Sequence, residues 1–133
     1  MFAEDSGRLD IANALIAAGA SVDVQNRDGW TALMFAAKDG RLDMVDALIA
    51  AGASVDVQNR YGWTALMWAA DSGHLDIVRV LLGLGVNPNL QNDKGHTALM
   101  IAKQKKHDSI VRLLDPVTKG YWVRRAAGDL FGD

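Results

Sequence analysis

The chain has no cysteine among its 133 residues, so it forms neither a disulfide nor a thiolate zinc site. A chain without cysteine can live in any redox compartment, so this absence alone fixes no address. No apolar run approaches the roughly 18 residues that a membrane span needs. The N-terminus lacks the basic stretch, apolar core and cleavage site of a secretory signal. These absences leave a cytoplasmic or nuclear address as the default and give no reason to expect a membrane partner.

Catalytic signatures are missing too. There is no Gly-x-Ser-x-Gly elbow, no phosphate-binding glycine loop and no His-Glu-x-x-His. His74, His96 and His107 fall at separate turns rather than four apart on one helix, which argues against a metal site. Asp10, Asp43 and Asp76 recur at one position and read as solvated helix starts, favoured by the helix dipole, not as paired catalytic acids. The expectation is a non-enzymatic protein with no cofactor and no metal.

What the chain does contain is repetition. Gly7 to Arg27 reads GRLDIANALIAAGASVDVQNR, and 33 residues later Gly40 to Arg60 reads GRLDMVDALIAAGASVDVQNR. The same step sets Thr31-Ala32-Leu33-Met34, Thr64-Ala65-Leu66-Met67 and Thr97-Ala98-Leu99-Met100 in register, each just after a turn at Asp28-Gly29, Tyr61-Gly62 or Lys94-Gly95. A fixed period of this length marks a repeat array.

Within one period, Thr31 is placed to cap a helix over 32–39 that Gly40 stops. A second helix is predicted from about Leu42 to Ala51, because Leu42, Val45, Leu48 and Ile49 share one apolar face, with Gly52 as its left-handed cap. Asn59 to Gly62 then carries turn chemistry. Neither helix can bury both apolar sides inside one unit, so stability must come from stacking on neighbours.

Over about residues 1–115 the chain resembles the ankyrin repeat family. That resemblance implies an all-α solenoid of stacked helix-turn-helix units with β-hairpin fingers. It divides the array into a truncated first unit (1–27), two full units (28–60 and 61–93) and a C-terminal cap unit (94–115), followed by a tail (116–133). The family motif Thr-Pro-Leu-His is altered here. Ala32, Ala65 and Ala98 replace the proline, and Met34, Met67 and Met100 replace the histidine. Methionine in that position reads as adaptable filling, and His74 as a structural residue of the unit.

The ends depart from the pattern. In register, Met1, Phe2 and Ala3 match Met34, Phe35 and Ala36, so the chain starts inside a unit and reads as a fragment or a shortened array. Apolar residues around Phe2, Ile11 and Leu15 then have no covering neighbour, which predicts self-association through that end. Lys106 stands where Gly40 and Gly73 stand in earlier units, a cost of about 1 kcal/mol if the backbone stays left-handed. Pro116 closes the array. The tail, with Tyr121, Trp122, Val123, Leu130 and Phe131, is too apolar for an idle linker. It is expected to cover the last unit, to lead into a missing region or to occupy a binding groove.

Charge is unevenly spread. Residues 1–93 hold 6 Lys and Arg against 12 Asp and Glu, whereas residues 94–133 hold 8 against 4. The acidic array argues against nucleic acid, although Tyr121-Trp122-Val123-Arg124-Arg125 combines bases' usual stacking and phosphate partners.

The resemblance implies a protein or peptide ligand on a concave face made by finger tips and first helices. By register that face comprises Arg27, Asp28, Trp30, Phe35, Lys38 and Asp39, then Arg60, Tyr61, Trp63, Trp68, Asp71 and Ser72. The third unit supplies Asp93, Lys94, His96, Ile101, Gln104 and Lys105. Its aromatic content points to interface anchors, against a plainer reading in which the tryptophans buttress fingers and fill between helices. Two other readings are a self-assembling fragment and an engineered binder; a single glutamate, Glu4, speaks against idealised design. Asn89, at the site of Asp23 and Asp56, matches a position at which family asparagines can be hydroxylated.

Overall fold

The computed structural model describes residues 22–118. The expectations for the open N-terminal end and for the tail beyond Thr118 lie outside the described residues. Within them run α1 (Ala32–Asp39), α2 (Leu42–Ala50), α3 (Ala65–Ser72), α4 (Leu75–Gly83), α5 (Ala98–Gln104) and α6 (Asp108–Leu114), closed by a short 3-10 turn over Asp115–Val117.

Each unit is an antiparallel pair whose first helix is opened by threonine. The hydroxyl oxygens of Thr31, Thr64 and Thr97 accept from the backbone N–H groups of Met34, Met67 and Met100 at 3.3, 3.2 and 3.4 Å. Each bond satisfies one of the donors that a helix start leaves orphaned. The second helices have no side-chain cap, but Asp43, Asp76 and Asp108 stand in their first turns, where the dipole favours negative charge.

Helix ends follow backbone handedness. Gly40 and Gly73 close α1 and α3 with φ of 74° and 81°. In the third unit the same conformation falls on Lys106, with φ 61°, the one described residue other than glycine with positive φ. Glycine has a second role at these sites, because a Cβ on Gly73 would lie 2.8 Å from His107 Cε1, and one on Gly40 2.6 Å from His74 Cε1. The imidazoles also bind backbone: His74 Nε2 is 3.1 Å from the Lys38 carbonyl oxygen and His107 Nε2 is 3.1 Å from that of Asp71. Each ring therefore clamps its own unit to the preceding first helix.

The core is one continuous slab. Leu33, Met34, Leu66, Met67 and Leu99 from first helices and Val45, Leu48, Ile77, Leu81, Ile110 and Leu114 from second helices are all at most 2% exposed. At about 1.5–3 kcal/mol for each large side chain removed from water, this layer dominates stability. Ala36, Ala37, Ala69, Ala70 and Ala102 are equally buried, and their small size lets α1, α3 and α5 approach one another closely. The first helices pack more tightly in their row than the second helices do in theirs. A stack drawn together on one side curves toward that side.

The segments between units are turns, and no strand occurs among the described residues. The hairpin ladder of the resemblance is therefore not seen. Within each turn backbone bonds remain, Asn59 N–H to the Trp63 carbonyl and Gly62 N–H to that of Asn59 at 2.9 Å each, and asparagine side chains take further donors. Asn59 Oδ1 accepts from the N–H groups of Tyr61 at 2.9 Å and Trp63 at 3.0 Å, and Asn26 and Asn92 do the same in their turns. A single backbone bond links successive tips: Arg60 N–H to Asp28 O at 2.8 Å and Asp93 N–H to Tyr61 O at 3.0 Å. Glutamines bridge the same gap, with Gln58 Nε2 donating to the carbonyls of Gly62 and Gln91 at 3.0 Å each.

Candidate binding face

The asparagine turns and the threonine caps aim side chains from turn and first helix toward each other. In the first described unit this brings Trp30 onto Phe35, with centroids 4.6 Å apart. Trp68 of the next unit enters between two turn tryptophans, 4.5 Å from Trp30 and 4.2 Å from Trp63, with interplanar angles of 30° and 31°. The result is an unbroken row, Phe35, Trp30, Trp68, Trp63. Its distances are those at which aromatic pairs add about 0.5–1.5 kcal/mol beyond their area. Trp68 is the interior member: it is half-buried, and its Nε1–H is inaccessible to solvent with no hydrogen-bond partner among the described residues.

The row ends at a cavity of about 440 Å³ between the second and third described units. Trp63, His96 and Ile101 line it, together with Tyr61, Asn92 and Asp93 from the turns and Asp71, Gln104 and Lys105 from the helices. Lys94 completes the rim. This volume falls in the range of ligand pockets. Ile101 is only 2% exposed and belongs to the core as well as to the cavity lining, whereas Tyr61 is 51% exposed.

Charges around the face are partly paired. Lys105 Nζ lies 3.4 Å from Asp71 Oδ1 within the cavity lining. Arg60 Nη1 lies 3.8 Å from Asp28 Oδ1, and its guanidinium carbon is 5.9 Å from the Tyr61 ring centroid. Such exposed pairs contribute at most about 1 kcal/mol each. They set a mixed-charge rim around the cavity.

The sequence-predicted residues therefore divide. Tyr61, Trp63, Asp71, Lys94, His96, Ile101 and Lys105 come together at the cavity. Trp30, Phe35 and Trp68 come together in the row, where much of their surface is spent on one another. Lys38 and Asp39 are exposed at the far end of α1, and Ser72 is half-buried at the end of α3; none of these three lines the cavity. Asn92 was missed by sequence reasoning. Its recurrence with Asn26 and Asn59 at one period was a usable signal.

Helix pairs that recur every 33 residues, each packed against its neighbours, define a helical repeat solenoid, a class that works through its surface. The model of the ankyrin repeat family matches residues 1–92 in three copies, and the chain belongs to that family. Among curated proteins none matches it. Members of the family generally mediate protein–protein interaction and are typically non-enzymatic.

Proposed function

We propose that this chain is a non-enzymatic binding module that takes an extended peptide or a single protein helix on the face made by its turns and first helices. The observation that carries the reading is the cavity of about 440 Å³ at which turn and first-helix residues of adjacent units converge. A cleft lined by aromatic and charged side chains suits peptide recognition, with aromatic anchors supplying affinity and charged groups orientation. Asp93 and Lys94 side by side, and Asp71 with Lys105, favour a ligand of mixed charge. The narrow span of three described units suits one segment of a partner better than a broad protein surface.

The test is selection of binders from a random-peptide display library on the full chain, followed by titration of the selected peptides. Tyr61→Ala and Lys94→Glu are suitable probes, because both side chains are exposed and neither supports the core. Binding lost or weakened at least about tenfold by either change, which corresponds to one interface anchor of about 1.4 kcal/mol, supports the reading. Peptides that bind both variants as tightly as the parent place recognition elsewhere.

A further inference from the structure

The repeat gives every position an internal reference, and the cavity can be compared with the same place one unit earlier. Shifting Trp68 by one period gives Ile101, and shifting its two stacking partners, Trp30 and Trp63, gives Trp63 and His96. All three shifted residues line the cavity. At the earlier junction an indole fills the space between two turn rings; at this one a shorter aliphatic side chain, itself 2% exposed, takes the indole's position and the cavity adjoins it. We infer that the cavity is the open continuation of the aromatic row, and that it takes one aromatic side chain of a peptide partner, stacked on Trp63 and flanked by His96.

The inference rests on the peptide-binding reading and names the chemistry of the anchor. One stacking surface is already in place, because Trp63 is held by Trp68 at 4.2 Å and also lines the cavity. The polar environment also suits an entering ring. Among the described residues Trp68 has no partner for its indole N–H, whereas the cavity lining offers Asp71 and Gln104 as acceptors. A tryptophan or tyrosine from outside can thus satisfy its polar tip where the internal indole does not.

The experiment titrates N-acetyl-tryptophanamide, and in parallel N-acetyl-leucinamide, into the isotope-labelled full chain while following the Ile101 methyl, His96 ring and Trp63 ring signals. The expected result is a saturable shift at all three, with the tryptophan compound binding roughly three- to tenfold more tightly than the leucine one. Ile101→Trp, which copies Trp68 into the third unit, should fold and abolish the shift by filling the site. No saturable shift, equal affinity for the two amides, or an Ile101→Trp chain that does not fold each overturns the inference. Display-selected peptides that lack an aromatic residue yet lose binding with Tyr61→Ala leave the peptide-binding reading standing and overturn this one. Selection of no peptide overturns that broader reading.

Discussion

The His107 imidazole sits directly over Gly73, with Cε1 2.8 Å from where a Cβ would stand, while Nε2 is 3.1 Å from the carbonyl oxygen of Asp71. One glycine thus serves two purposes, since its φ of 81° ends α3 and its missing side chain admits the ring. Gly73→Ala should destabilise the chain by about 2–3 kcal/mol, the left-handed penalty plus displacement of the ring. Urea titration checks this. Adding His107→Ala should restore only the steric share, because the carbonyl contact is lost with the ring and the backbone strain persists.

Lys106 occupies the equivalent backbone conformation without glycine's freedom, at φ 61°. Among the described residues no hydrogen bond or ion pair engages its exposed side chain. Lys106→Gly should therefore stabilise the chain by about 0.5–1 kcal/mol, the relief of left-handed strain less the added entropy of the unfolded chain. A rise in the urea midpoint with an unchanged slope would confirm it; a fall would show that the lysine stem contributes packing.

The aromatic row makes its members unequal in a way that repeat register does not show. Among the described residues Trp68 has rings on both sides, whereas Phe35 has one and is 40% exposed. Trp68→Ala should cost about 3 kcal/mol and Phe35→Ala about 1. Trp68→Phe should cost less than Trp68→Ala by at least about 1 kcal/mol, because the indole N–H it removes has no partner among the described residues. Thermal unfolding of the three variants orders them.

The fold was legible where local chemistry repeats. Threonine caps appear once per period and glycine stops in two of the three described units, and in the first described unit their spacing placed helix bounds to within a residue. The hairpin finger that the resemblance implied is not shown, since no strand occurs among the described residues, and Asn26, Asn59 and Asn92 close the turns with side-chain oxygens as well as backbone bonds. For the face, the seven residues Tyr61, Trp63, Asp71, Lys94, His96, Ile101 and Lys105, grouped by register, line one cavity, since turn and first helix meet there. Register could not separate rings that stack on each other from rings left open, because that depends on the size of the residue one unit away. Ile101 against Trp68 is the deciding difference.

Asn59 is 7% exposed and holds its turn through two N–H groups, those of Tyr61 and Trp63, which both belong to the candidate face. Asn59→Ala leaves those donors without the oxygen and should cost about 2 kcal/mol, the penalty for unmade hydrogen bonds in a buried turn. Asn59→Asp keeps an acceptor for both donors, and the Nδ2 group that it replaces has no partner among the described residues. Burial of the added charge opposes this, so the net change should stay within about 1 kcal/mol. A loss from Asp as large as that from Ala would show that the amide, not the oxygen alone, holds the turn. The same pair of variants separates scaffold from contact. If Ala but not Asp also weakens a selected peptide, the turn is needed to present Tyr61 and Trp63 rather than to touch the ligand itself.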